Sequence, residues 1–251
     1  MTRSNDIGVI EADWPAPAHV KACVTTRLGG VSVQPYAGFN LADHVEDNPA
    51  AVQQNRRLLR EYLRLPAEPC WLEQVHGVAV TDAGDPAADR RADASFTRRS
   101  QVVCSVLTAD CLPVLICNRD GSQVAAAHAG WRGLQAGVVE QTLQAFSDAR
   151  EDLLVWLGPA IGPRAFEVGD EVKQAFEQDL PIAAKAFAPH GPGHWLADIY
   201  QLARQRLQAA GIEAVYGGGL CTYQDATRFY SYRRDGKTGR MASLIWMGDP
   251  S

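Results

Sequence analysis

The stretch "TADCLPVLICNRDGSQVAAAHAGW" (residues 108–131) sets two apolar runs on either side of "NRDG". That spacer has the composition of a tight turn, so the runs read as the two strands of a hairpin. With Arg119 and Asp120 as the loop residues, Cys111 lies directly opposite His128. With Asp120 and Gly121 instead, His128 lies opposite Pro113, and Cys111 still shares its face because side chains alternate along a strand. Both registers bring thiol and imidazole to one surface, about 5 to 8 Å apart. A register midway between them would put the two on opposite faces.

Outward from this hairpin the same grammar repeats. "HVKACVTT", "QVVCSVL" and "LLVWLG" also read as strands, short and apolar between turn residues. Helices are expected in "DNPAAVQQNRRLLREYL", capped by Asn48 ahead of Pro49, in "GLQAGVVEQTLQAF", and in "LADIYQLARQRLQAAG" up to Gly211. "FYSYRRDGKTGRMA" reads as two strands around a basic turn. Three prolines and two glycines make "PIAAKAFAPHGPGHW" an irregular excursion, with His190 and His194 on the surface. Strands and helices mix without strict alternation, which points to an α/β (mixed α+β) fold: mixed β-sheets flanked by helices. Without repeats or a linker, residues 1–251 are expected to form a single compact domain.

Composition narrows the function. Hydrophobic residues at 46% and charged residues at 21% suit a soluble globular chain, and the net charge of −5 lacks the basic footprint of a nucleic-acid binder. Asp and Glu interrupt the N-terminal "MTRSNDIGVIEADWP" before an apolar run can form, so no leader or membrane span is expected, and a cytoplasmic location is. Six scattered cysteines in a chain of this length imply reduced thiols rather than a disulfide framework.

Three residues stand out as chemistry. Cys111 and His128 are paired by the hairpin, and His76, in "WLEQVHGVAV", is a further nitrogen donor that spacing alone does not place. Two histidines and a cysteine suit Zn²⁺ with a fourth position left open, and the same set serves copper. Cys111 as a thiolate nucleophile with His128 as its base needs no metal. The plain alternative is a buried thiol packed as a small hydrophobe beside a histidine bonded to backbone.

The blocks "TTRLGGVS", "GFNLADHVEDNP", "LEQVHG", "TADCLPVLI", "AAAHAGWRGL", "LGPAIGPRAFEVG" and "FYSYRRDGKTGRMA" resemble, in order and nearly end to end, the laccase-domain proteins of the YfiH type. The family is described both as polyphenol oxidases and as purine nucleoside phosphorylases with adenosine deaminase activity. The resemblance implies metal ligation by His76, Cys111 and His128, with no departure at those positions. It also implies purine nucleosides (adenosine, inosine, guanosine, 5′-methylthioadenosine) and phosphate as partners of a monomer. A role in editing cell-wall precursors has been attached to relatives, which would suit a cysteine hydrolase. Copper oxidase chemistry is disfavoured, because a trinuclear cluster needs roughly eight histidines. The chain has six, His19, His44, His76, His128, His190 and His194, with no His-x-His pair.

Phosphorolysis asks for an anion site. Arg27 beside two glycines is the first expectation, Arg132 the second, and Asn40 is expected on a ribose hydroxyl. The basic group Arg233, Arg234, Lys237 and Arg240 is either a solvated hairpin tip or a rim that attracts phosphate. Deamination would need a proton carrier, for which Glu73 and Asp110 neighbour the ligands in sequence. The small residues Ala125–Ala127, Ala129 and Gly130 are expected to leave substrate room to approach His128.

Overall fold

A computed structural model describes residues 7–248. The first six residues, part of the stretch read above for a leader, lie outside the described residues. The strands in chain order are β1 (Val9–Glu11), β2 (Val20–Thr25), β3 (Val80–Asp82), β4 (Ala94–Thr97), β5 (Val103–Thr108), β6 (Leu112–Asn118), β7 (Val124–Ala129), β8 (Leu153–Leu157), β9 (Glu167–Gly169), β10 (Phe187–Pro189), β11 (His194–Ala197), β12 (Val215–Gly217) and β13 (Met241–Met247). The helices are α1 (Pro49–Leu63), α2 (Trp131–Ala136), α3 (Val138–Gln144), α4 (Asp170–Asp179), α5 (Ile199–Ala209) and α6 (Tyr232–Asp235). No described helix is long and apolar enough to cross a membrane.

The hairpin β6–β7 is central to a six-stranded mixed sheet in the order β12-β8-β6-β7-β4-β3. It takes the second of the two registers, with Pro113 opposite His128 and Leu112 opposite Ala129. Asn118 fixes that choice: its Oδ1 accepts from Gln123 N at 2.9 Å, and its Nδ2 donates to Ser122 Oγ at 2.8 Å and Asp148 Oδ1 at 3.0 Å. Every residue of β6, β7 and β8 is buried. That is why these strands read as unbroken apolar runs rather than alternating ones.

Alternation instead sorts their side chains between two cores. Leu112, Val114, Ala125 and Ala127 face helices α3 and α5 through Val138, Val139 and Leu202. Leu115, Cys117, Val124 and Ala126 face a second, four-stranded sheet, β1-β2-β13-β5, through Val106 and Ile245. The far side of that sheet packs Leu244 and Cys23 against Leu59 of α1. The described residues thus form one body of four layers, helix, sheet, sheet, helix. His128, at an even position of β7, points toward the four-stranded sheet.

Helix α1 starts as expected, with Asn48 Oδ1 accepting from Ala50 N at 2.9 Å and Pro49 in the first turn. Three expectations need correction. The helix after His128 is two helices, broken at Gly137. "FYSYRRDGKTGRMA" is not a hairpin: Phe229 and Tyr230 are wholly buried, α6 follows, and only Met241 onward is strand. The helix wins there because Ser231 caps it, accepting from Arg234 N at 3.2 Å. The proline-rich excursion is partly regular, a 3₁₀ turn over Pro181–Ala186 and then β10 and β11 pairing with β9.

Ahead of α1, the loop carrying Asn40 and His44 is pinned by the buried Asn55. Its Oδ1 accepts from Val31 N at 2.9 Å, and its Nδ2 donates to Ser32 Oγ at 3.0 Å and Asn40 O at 2.8 Å. Asn55→Ala leaves these buried groups unpaired and is expected to lower stability by about 2–3 kcal/mol. The readout is a lower denaturation midpoint at unchanged slope. A loss below about 0.5 kcal/mol would show that the loop holds itself.

Candidate metal centre

The segment that delivers His76 has no strand of its own and is tied down by side chains. Gln74 bonds both ways to the backbone of Leu107, Nε2 to the carbonyl at 2.8 Å and Oε1 from the N–H at 2.7 Å. Three successive N–H groups then turn onto one carboxylate: Asp93 accepts from Val75 at 3.2 Å, His76 at 2.9 Å and Gly77 at 2.7 Å. To make that turn His76 takes φ +60°, a left-handed conformation that costs a non-glycine residue about 1 kcal/mol or more.

Asp93 also serves the other histidine. His128 Nδ1 lies 2.8 Å from Asp93 Oδ1, and His128 N donates to Asp93 O at 2.7 Å. Asp93 is fully buried, which by itself opposes ionisation. The hydrogen bond from His128, joined by those of the backbone N–H groups, outweighs burial and holds its carboxyl below the usual range. With Nδ1 engaged, His128 presents Nε2.

Cys111 enters from the turn between β5 and β6, where Asp110 stands at φ +91°. Opposite it Gly130 is required for space: a Cβ there would lie 2.9 Å from Cys111 Sγ and 3.2 Å from His76 Cδ2. The donor atoms of His76, Cys111 and His128 all fall within 4.8 Å of one another, and the imidazoles meet edge to face at 81°. A tetrahedral ion with bonds of about 2.0–2.3 Å keeps its donors roughly 3.3–3.8 Å apart. The three residues therefore fit a metal with little movement, and three protein donors would leave it a further position for water or substrate. Burial would raise the Cys111 thiol, but the charge and hydrogen bond of His128, then those of His76, bring it down to about 6. Burial likewise opposes charge on His128, yet Cys111 and Asp93 raise it to about 9.

The three ligands line a cavity of about 540 Å³. Its wall carries Arg132, Arg233, Arg240 and His44, and Trp131, Phe166 and Tyr232, each ring with one of those guanidinium groups over it at 4.3, 5.7 and 5.8 Å. Arg27 and Asn40 are not brought to it. The guanidinium of Arg27 lies 4.8 Å over the Tyr230 ring and donates to Ala226 O at 3.3 Å. Its neighbouring glycines serve a crossing of the loop with itself, where a Cβ on Gly30 would meet Gly38 O at 2.6 Å. Asn40 is fully buried, accepting from Arg240 N at 2.9 Å and donating to Asp47 Oδ2 at 2.9 Å.

Other sequence expectations divide in the same way. Ala125–Ala127 and Ala129 are wholly buried and leave room for packing between layers, not for substrate. Glu73 is exposed, 3.9 Å from Arg91, and does not line the cavity. Asp110 does, but its oxygens accept from Thr222 Oγ1, Ser231 Oγ and Arg233 N. Of the C-terminal cations, Arg234 bonds the carbonyls of Thr222, Tyr223 and Phe229, and Lys237 pairs with Glu46 at 2.7 Å, while Arg233 and Arg240 face the cavity. His190 and His194 sit on the surface beside Glu167, at 3.6 and 3.0 Å. Sequence reasoning missed Asp93 and His44 altogether, since a single Asp before a short strand and a His in a polar loop carry no spacing signal.

A mixed α/β sandwich with a His, Cys and His cluster at the end of its central hairpin defines a class, and comparison with known proteins gives it a family. Residues 21–248 match the family described as multi-copper polyphenol oxidoreductase laccase. The chain belongs to that family, in its YfiH-type branch. It is 58% identical over 238 residues to a purine nucleoside phosphorylase of Pseudomonas aeruginosa, covering 94% of this chain and 97% of that one. It is 56% identical over 240 residues to the purine nucleoside phosphorylase YfiH of Escherichia coli, covering 95% and 98%. Among solved structures it is similar to a Neisseria meningitidis protein (TM-score 0.93, 49% identity, 96% and 99% covered). YlmD from Geobacillus stearothermophilus is also similar (TM-score 0.87, 32% identity, 92% and 93% covered).

Two outcomes follow from the geometry. Asp93→Ala and Gly130→Ala are each expected to weaken metal binding about 10- to 100-fold, the first by releasing His76 and His128, the second by pushing Cys111 and His76 apart. Titration with a chromophoric chelator reads this, and wild-type affinity in both would show that the ligands hold themselves. Loading metal at pH 7.5 should release about one proton per site, because the thiol is already ionised while His128 is still protonated. Release should rise as pH falls below about 6, where the thiol holds a proton too, and vanish above about 9. Calorimetry in buffers of different ionisation enthalpy measures it, and zero release at pH 7.5 would contradict the ion pair.

Proposed function

We propose that this chain is a purine nucleoside phosphorylase that works with zinc held by His76, Cys111 and His128. The observation that carries the reading is the near full-length identity to the Pseudomonas and Escherichia enzymes of that name. The cavity supports it, being large enough for a nucleoside and a phosphate together and lined by both aromatic side chains and guanidinium groups. Adenosine, inosine, guanosine and 5′-methylthioadenosine are the proposed nucleosides. Action as a monomer is part of the proposal, and all six cysteines are unpaired, which suits a reducing cytoplasm.

In phosphorolysis an oxygen of phosphate forms a bond to the anomeric carbon as the glycosidic C–N bond breaks. The purine leaves with that electron pair and is protonated. Arg132, Arg233 and Arg240 supply positive charge to the cavity for phosphate, and the aromatic residues Trp131, Phe166 and Tyr232 supply apolar wall for the base. Zinc, when bound, supplies Lewis-acidic charge at the cavity floor. Nitrogen and sulfur donors together suit zinc, and among the described residues only this one group of three gathers. The multi-centre electron transfer of a laccase needs more ligands than that. Adenosine deamination in this cavity would find Asp110 as the only lining carboxylate among the described residues, and its oxygens already accept from Thr222, Ser231 and the Arg233 N–H.

A second reading has a specific observation behind it. Asp93, His128 and Cys111 stand in the order carboxylate, imidazole, thiol, with the thiol lowered to about 6, the arrangement of a cysteine hydrolase. His128→Ala separates the two. As a metal ligand, its loss should remove most of the zinc and nearly all phosphorolysis while the buried strands keep the fold. As a general base, its loss should abolish catalysis yet leave zinc on His76 and Cys111. Zinc content and release of free base from inosine, with and without phosphate, are measured on the same preparations. Base release indifferent to phosphate sinks the phosphorylase, and activity that survives chelation but not thiol alkylation installs the hydrolase.

A further inference from the structure

The three guanidinium groups of the cavity are held differently. Arg132 is exposed and lies 4.3 Å over the Trp131 ring. Arg233 donates from Nη1 to Glu167 O at 2.9 Å. Arg240 is half-buried, and its Nη1 donates to the carbonyls of Thr238 at 2.8 Å and Gly239 at 3.0 Å. Its backbone N–H is fixed by Asn40 Oδ1 at 2.9 Å, and Asn40 is itself locked to Asp47. One arm of the fork is thus anchored and the group lies 5.8 Å over the Tyr232 ring, while Nε and Nη2 have no hydrogen-bond partner among the described residues.

Nor does Arg240 have an ion-pair partner among the described residues. The one carboxylate lining the cavity, Asp110, is spent on Thr222, Ser231 and the Arg233 N–H. Cys111 and Asp110 attract the Arg240 charge from beyond contact distance. A half-buried guanidinium with no carboxylate in contact still lacks part of its hydration, and a fixed, rigid fork suits an oxyanion. His44 shares the same wall. Burial first, and then the charge of Arg240, holds His44 below its usual range, so it stands neutral beside the cation and free to give or accept a hydrogen bond.

We propose that Arg240, with His44 beside it, is the anion-holding element of this cavity and takes the inorganic phosphate that attacks the anomeric carbon. The inference rests on the phosphorylase reading for the identity of its anion, and it assigns to Arg240 the role that sequence alone gave to Arg27.

The test is calorimetric titration of inorganic phosphate into the metal-loaded full chain, followed by KM for phosphate and for inosine. Arg240→Ala should bind phosphate about 10- to 100-fold more weakly, with metal content unchanged and KM for phosphate raised far more than KM for inosine. Arg240→Lys, which retains the charge but not the fork, should fall between. Arg27→Ala should bind phosphate as wild type does. Undiminished phosphate affinity in a folded, metal-loaded Arg240→Ala overturns the proposal, as does loss of affinity in Arg27→Ala alone. Should Arg240→Ala fail to fold, Arg240→Gln carries the same comparison. A wild type that binds phosphate through Arg240 yet releases base without it keeps the anion site and removes the phosphorylase. Phosphate-dependent turnover with KM for phosphate unmoved in Arg240→Ala does the reverse.

Discussion

The buried carboxylate of Asp93 ties the loop that carries His76 to the strand that carries His128. It gathers three backbone N–H groups from the loop around His76 and the Nδ1 of His128, while its carbonyl takes the His128 N–H. A charge buried this deeply is tolerable only with its lone pairs satisfied, and here each donor is a piece of the metal site. The interaction therefore works in both directions. Asp93 orients the ligands, and the ligands hold Asp93 ionised. It also fixes which nitrogen of His128 is free, an outer-shell constraint that decides whether the imidazole can reach a metal at all.

The rest of the fold delivers these groups to one edge. Ala125, Ala126 and Ala127 at the middle of β7 let a helix layer and a second sheet close on both faces of the central sheet. Chemistry begins only where the strands run out, at His128 near the end of β7 and at Cys111 just before β6. Backbone strain collects there as well, with His76 at φ +60° and Asp110 at φ +91°. Both are held by several hydrogen bonds, so the surrounding structure over-determines the strained positions, as is common at functional sites.

What could be read in the sequence was what a local period encodes. Strand alternation put Cys111 and His128 on one face whichever of the two registers held, and Asn48 marked the start of α1 through its own side chain. His76 came only from family resemblance, because the contact that places it spans residues 75–93 and runs through a carboxylate without a motif. Arg27 lies away from the cavity for a related reason. Adjacent glycines looked like an anion loop, whereas their freedom is used to let the loop cross itself at Gly38. The basic run near the C-terminus misled by uniformity. Four cations close in sequence are divided by the fold into two that stitch the surface, Arg234 and Lys237, and two that face the cavity. A short helix in place of the expected turn makes that division.

Charge balance connects the site to its chemistry. A divalent ion on His76, Cys111 and His128 would be neutralised locally by the thiolate and, one shell out, by Asp93. Asp110, the remaining carboxylate, is bound up in hydrogen bonds to Thr222, Ser231 and Arg233. The guanidinium groups of Arg132, Arg233 and Arg240 outnumber that carboxylate and have no contact ion pair among the described residues, in a concave space whose low-dielectric walls strengthen their field. Oxidation of a neutral phenol gains nothing from such a field. A phosphate anion gains both encounter rate and orientation, and negative charge developing on a departing purine is stabilised by the same groups. The arginines therefore discriminate between the two activities attached to this family more sharply than the metal ligands do, because a His, Cys and His set serves either metal while a net cationic wall favours an anionic reactant.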